Sequence, residues 1–137
     1  MSKGSRILVA EDEPTLAFAI QLSLRRAGFE VAVAEDGCEA WDMLRKEAFD
    51  LLMTDHQMPK MTGFELCLRV WQDPQLAQLP IIILTGKEVD FGSEQRPERP
   101  DCFQIIPKPF SPRNVVAAVK HLLQVSAASG PVSTSAC

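Results

Sequence analysis

The chain of 137 residues lacks the features that mark membrane and nucleic-acid-binding proteins. No apolar run is long enough to cross a bilayer, and residues 1–6 contain no apolar core of a signal peptide, so we expect neither an anchor nor a leader. There is no basic run and the net charge is -4, which argues against a nucleic-acid surface because phosphate contacts need clustered Lys and Arg. These absences predict a cytoplasmic domain that binds neither membrane nor nucleic acid.

Cysteine and histidine are also scarce. The 4 cysteines form no CxxC pair and there are only 2 histidines, so we expect no zinc site. We expect the cysteines to be reduced thiols, since disulfides persist mainly in oxidising compartments. Hydrophobic residues make up 46% and charged residues 23%, as in ordinary globular proteins, and the length fits one domain.

Five short apolar runs alternate with stretches of helical periodicity. The runs cover roughly residues 6–10, 29–33, 49–54, 80–84 and 102–106, and runs of this kind predict buried parallel strands. Helices are predicted after the first three runs, and a last one begins at Ser111 and Pro112, which suit the cap and first helical positions. Right-handed crossovers on both faces would give an α/β, doubly wound sandwich.

Two segments depart from this alternation. A helix is expected between the fourth and fifth runs, but residues 87–101 contain Gly92, Pro97 and Pro100, and an interior proline costs a helix about 3 kcal/mol. We therefore predict a fourth helix that is shortened or irregular. The end of the chain is rich in Ser, Ala, Gly and Pro, so we predict a domain over residues 5–124 and a polar disordered tail or linker over residues 125–137.

Acidic, hydroxyl and lysine side chains follow four of the apolar runs. They are Glu11 with Asp12, then Asp55, Thr85 and Lys108. Ligands bind at the carboxyl ends of strands in open parallel sheets, so we expect these groups to share one edge. Two carboxylates 4 Å apart repel by about 4 kcal/mol at an effective dielectric near 20, and Mg²⁺ is the natural cation for such a cluster. A carboxylate there could attack phosphorus, with the lysine and hydroxyl stabilising the phosphoryl oxygens.

Each group alone also has a purely structural explanation. Glu11 and Asp12 could favour a helix dipole, and Asp55 could begin a turn. Thr85 could be an ordinary strand exit and Lys108 a solvated lysine. Their joint occurrence at four strand ends favours a phosphoryl-transfer site.

The chain resembles the receiver domain of two-component response regulators over roughly residues 5–124. The matching segments are ILVAEDEP at 7–14, TDHQMPKMTG at 54–63, PIIILTG at 80–86 and PKPF at 107–110. The resemblance implies a flavodoxin-like sheet of five parallel strands in the order 2-1-3-4-5. It also implies that a sensor histidine kinase or a phosphotransfer protein donates the phosphoryl group. An output partner is implied but not identified, and homodimerisation is left open.

The same resemblance implies a role for each matched residue. Asp55 would be the phosphoacceptor, Thr85 would bond a phosphoryl oxygen, and Lys108 would pair with the phosphoryl group. Mg²⁺ would be held by four groups: Glu11, Asp12, Asp55 and the backbone carbonyl of Gln57. The protein would promote only its own phosphorylation and dephosphorylation, and would not be an enzyme acting on other substrates.

Departures from the receiver pattern leave one alternative open. Ile105 stands where receivers usually carry an aromatic switch residue, and Gly86 stands where alanine is usual. Phe103 shares a strand face with Ile105 and could substitute only in part. Together with the irregular fourth helix, Ile105 favours an unphosphorylated pseudo-receiver that serves as a scaffold or dimerisation module. The intact acids, threonine and lysine favour the phosphoacceptor.

A phosphatase of the haloacid dehalogenase type is a further alternative. Such enzymes need a second acid two residues after the nucleophile, and Gln57 stands at that position. The sequence therefore disfavours this enzyme.

Overall fold

The computed structural model describes the backbone of residues 4–86 and 102–136, and the side chains of residues 4–86 and 102–126. Five strands form one parallel sheet in the order β2-β1-β3-β4-β5, which confirms the predicted α/β, flavodoxin-like architecture. The elements in chain order are β1 Arg6–Ala10, α1 Pro14–Arg26, β2 Glu30–Ala34, α2 Gly37–Lys46, β3 Leu51–Asp55, α3 Gly63–Gln72, β4 Ile81–Thr85, β5 Phe103–Pro107 and α4 Pro112–Ala136.

The central strands are buried on both faces. Every residue of β3 and β4 is buried, as are four of the five in β1, which explains their continuous apolar sequences. Alternate side chains point to opposite faces, so the sheet separates two cores. One core lies under α1 and α4, and the other lies under α2 and α3. The edge strands β2 and β5 are less buried, in keeping with the mixed sequence of the second run.

Short polar contacts set the starts of two helices. Asp36 caps α2 by accepting a hydrogen bond from the N–H of Glu39 at 2.8 Å. Thr62 and Glu65 form a capping box at α3: the N–H of Glu65 donates to Thr62 Oγ1 at 3.1 Å, and the N–H of Thr62 donates to Glu65 Oε1 at 2.8 Å. Because α3 begins at Gly63, this box also fixes the end of the loop that follows Asp55.

The last helix is longer than the sequence predicts. α4 continues to Ala136, so the backbone is helical where we predicted a disordered tail over residues 125–137. The domain limits of 5–124 stay a prediction. The predicted irregular fourth helix lies at residues 87–101, outside the described residues.

Candidate functional site

The predicted site residues lie at the carboxyl-terminal edge of the sheet. Asp55 and Thr85 are the last residues of β3 and β4, and Glu11 and Lys108 directly follow β1 and β5. Adjacent strands are parallel and in register, with Asp55 opposite Leu84. The sequence placed Asp55 and Thr85 one residue beyond their strands, and the structure corrects this. As strand residues, both are held by the sheet itself.

Three carboxylates converge at this edge. Glu11, Asp12 and Asp55 each offer an oxygen atom, and these atoms lie within 4.8 Å of one another. Glu11 and Asp55 are each 3% exposed, whereas Asp12 is exposed, so the cluster opens to solvent on one side. Buried carboxylates this close are costly unless a cation or a proton compensates them.

The buried carboxyl group of Glu11 is not fully hydrogen-bonded within residues 4–86 and 102–126. Its Oε2 accepts a hydrogen bond from the N–H of Glu13 at 3.2 Å, but its buried Oε1 has no hydrogen-bond partner among the described residues. Burial, and then the charge of Asp55, raise the pKa of Glu11 to about 7. An all-oxygen donor set with an unsatisfied buried oxygen suits a small hard cation such as Mg²⁺.

Lys108 forms an ion pair with Asp55. Its Nζ lies 2.5 Å from Asp55 Oδ1, and its backbone N–H donates to the Thr85 carbonyl oxygen at 2.7 Å. Partial burial lowers the pKa of Lys108, but the hydrogen bond and charge of Asp55 outweigh it and leave the pKa raised. Lys108 therefore stays protonated and directed at the carboxylate.

Thr85 and Gln57 are the two remaining predicted site residues, and fewer of their contacts are defined. Thr85 lies at the same edge and is 3% exposed. Gln57 is exposed in the loop that follows β3, and its role as a carbonyl ligand stays a prediction. Glu11, Asp12 and Asp55 thus converge, Lys108 pairs with Asp55, and the backbone of Thr85 is hydrogen-bonded to that of Lys108.

Thr54 and Gly63 support the backbone around Asp55, although the sequence predicted no role for either residue. Thr54 Oγ1 donates to the Asp55 carbonyl oxygen at 2.9 Å, and the N–H of Gly63 donates to the His56 carbonyl oxygen at 2.8 Å. A Cβ atom at Gly63 would lie 2.3 Å from the Asp55 carbonyl oxygen. Both residues belong to the segment at 54–63 that matches the receiver pattern, but that match assigned neither of them a role.

Replacing Gly63 by alanine is expected to disturb the backbone of Asp55. The added methyl group meets backbone atoms of Asp55 and His56, so the β3–α3 loop must shift, and we expect a loss of about 1–3 kcal/mol in the free energy of unfolding. Urea denaturation measures this loss. Gly86→Ala is the matched control, because a Cβ there meets no atom of the described residues within 4 Å. Equal stability of the two variants would contradict the close approach.

The residue at the aromatic-switch position is partly open to solvent. Ile105 is 37% exposed on β5. Phe103 packs its ring edge-on against Trp71 with centroids 5.4 Å apart, and it pairs with Ile81 at the start of β4. Thr85 is four residues further along β4, or about 13 Å at the usual rise, so Phe103 cannot take the place of an aromatic ring beside Thr85.

Comparisons with known proteins agree with this geometry. The family model of the response regulator receiver domain matches residues 7–120. The alkaline phosphatase synthesis transcriptional regulatory protein PhoP of Bacillus subtilis is 37% identical over 95% of this chain and 53% of its own length. The phosphate regulon transcriptional regulatory protein PhoB of Rhizobium meliloti is 36% identical over 87% of this chain and 52% of its own length. The chain thus spans about half the length of these curated relatives.

Two solved structures of response regulators resemble this fold over most of this chain and nearly all of their own chains. A response regulator from Chloroflexus aurantiacus superposes with a TM-score of 0.78 at 34% identity, covering 89% of this chain and 99% of that one. The chemotaxis response regulator CheY4 of Vibrio cholerae gives a TM-score of 0.76 at 28% identity, covering 88% and 99%.

Proposed function

Because the chain belongs to the response regulator receiver family, we propose that Asp55 is the phosphoacceptor of this receiver and that Glu11 and Asp12 hold Mg²⁺ beside it. The observation that carries the proposal is the position of Asp55. This buried carboxylate belongs to the acidic cluster and pairs with a protonated lysine. It lies at the edge where parallel sheets bind ligands.

The chain's own residues supply the parts that acyl-phosphate formation needs. An oxygen of the Asp55 carboxylate attacks the phosphorus of a phosphohistidine donor. The new O–P bond forms as the P–N bond breaks, and the imidazole nitrogen leaves with the electron pair of that bond. Because the other ring nitrogen of the donor carries a proton, the donor leaves as a neutral histidine. Lys108 would stabilise the charge on the transferred phosphoryl oxygens, and the Thr85 hydroxyl would donate to one of them, as their places at the sheet edge support.

The acidic cluster fits the metal that receivers use. Glu11, Asp12 and Asp55 would hold Mg²⁺ together with the Gln57 carbonyl, and the ion would supply positive charge to the phosphoryl oxygens. The unsatisfied Oε1 of Glu11 and the raised pKa of that carboxyl support a cation at this position. Without one, the cluster keeps uncompensated negative charge or binds a proton.

The wider role follows from the same proposal. The phosphoryl donor would be a sensor histidine kinase or a phosphotransfer protein, and phosphorylated Asp55 would signal to a partner or an output domain. The protein would act on no other substrate, would work in the cytoplasm and would bind no nucleic acid through this domain. None of the described helices has the length and apolar character needed to cross a membrane.

Trapping the phosphoryl group on the unmodified chain tests the proposal. With Mg²⁺ and acetyl phosphate, the intact mass should rise by one phosphoryl group. Borohydride reduction followed by peptide mapping should locate the acyl phosphate at Asp55. Chelation of Mg²⁺ should prevent the rise.

Two results would contradict this assignment. Modification at another residue would move the phosphoacceptor, and the absence of both modification and Mg²⁺ binding would favour the pseudo-receiver.

A further inference from the structure

Helices α1 and α4 form a basic face on an acidic protein. The two helices pack over the same side of the sheet. Together they carry Arg25, Arg26, Arg113 and Lys120 but no acidic residue, although the whole chain has a net charge of -4. The acidic residues that the structure describes belong to other elements, so these two helices differ in charge from the chain as a whole.

A groove runs between these two helices. Its volume is about 460 Å³. It is lined by Ser23, Arg26, Pro112, Arg113, Val116 and Lys120. The three basic residues of the lining are exposed, and they form no ion pair within the described part of the chain. The α1–α4 groove thus combines an apolar floor with a cationic rim that no acidic side chain among residues 4–86 and 102–126 pairs with.

We propose that the α1–α4 groove binds an acidic amphipathic segment of a partner protein. Apolar side chains of the segment would cover Val116 and Pro112, and its carboxylates would meet Arg26, Arg113 and Lys120. Helix-in-groove recognition uses this combination of apolar anchors and complementary charge. The surface is separate from the residues at the sheet edge, so the inference does not depend on the role of Asp55.

Charge and shape disfavour other occupants. A second copy that presented the same face would bring like charges together. A nucleic acid would engage the cations but would leave the apolar floor without a partner, because phosphate contacts are made by charged and polar groups. A membrane would need a protruding apolar surface, and this lining is concave.

A peptide selection tests the groove directly. The probe is a displayed library of helical peptides with a fixed leucine stripe and randomised positions beside it, selected on the full chain. We expect enrichment of Asp and Glu at positions beside the stripe. The Arg26→Glu, Arg113→Glu double variant should bind the selected peptides about tenfold more weakly, as expected for reversing two exposed charges. Amide NMR shifts should map to Val116 and its neighbours on α4.

Matched controls separate the groove from the net charge of the protein. Lys46→Glu also adds negative charge, but it lies at the end of α2 and should leave binding unchanged. Circular dichroism and urea denaturation should confirm that the double variant is folded. The proposal is overturned if the selected peptides are not acidic, or if the double variant binds them as well as the unmodified chain does. It is also overturned if duplex DNA or phosphatidylglycerol vesicles occupy the groove in preference to peptides, or if the face self-associates in sedimentation.

Discussion

The Asp55→Asn variant is expected to take up no phosphoryl group from acetyl phosphate. Asparagine keeps the shape of the side chain but replaces the anionic oxygen with an amide, which is a poor nucleophile toward phosphorus. The substitution also removes the negative charge that Lys108 pairs with at 2.5 Å. The neighbouring carboxyl groups should not take over, because the sheet holds Asp55 as the last residue of β3. Intact mass spectrometry in the presence of Mg²⁺ measures the effect.

The control for this variant is an aspartate outside the site. Asp42 is exposed on α2, so Asp42→Asn should be phosphorylated like the unmodified chain. Asp55→Asn should remain folded, because removing one charge from the acidic cluster relieves its repulsion with Glu11. A folded Asp55→Asn protein that still gains a phosphoryl group would show that the acceptor is another residue.

The proximity of the site residues could be predicted from the sequence, because it depends only on where the strands end. Glu11, Asp55, Thr85 and Lys108 each follow or end an apolar run, and parallel connections bring such ends to one edge. The order of the strands came from the resemblance to receivers. Periodicity could not supply it, because apolar runs do not state which strands are neighbours.

Features that depend on close packing could not be predicted in this way. The contact of Gly63 with the Asp55 carbonyl joins two points of a folded loop, and the unsatisfied Oε1 of Glu11 exists only after burial. The length of α4 was also missed. The prediction of a tail was based on a composition rich in Ser, Ala, Gly and Pro, whereas the backbone is helical to Ala136.

Mg²⁺ affinity is expected to rise about tenfold between pH 6 and pH 8. The pKa of Glu11 is about 7 in the metal-free protein, so most of this carboxyl binds a proton at the lower pH and must release it to bind the ion. Isothermal titration with Mg²⁺ at several pH values measures the change, and proton release should accompany binding near pH 7. Asp36 is a useful contrast, because its hydrogen bond from the N–H of Glu39 lowers its pKa and it should not titrate in this range.

The same carboxyl has the opposite effect on the stability of the metal-free protein. Its pKa is raised in the folded state, from an ordinary value of 4.5 to about 7, so the folded chain binds this proton more tightly than the unfolded chain does. Its contribution to stability is present below pH 4.5 and is lost as the pH rises through 7. Glu11→Gln should remove this loss, and it should also flatten the pH dependence of Mg²⁺ binding while weakening the binding itself. If Glu11→Gln keeps the full pH dependence of both quantities, another group is responsible for them. Added Mg²⁺ should restore stability to the unmodified chain most strongly at pH 8, where the ion replaces the proton that Glu11 has released.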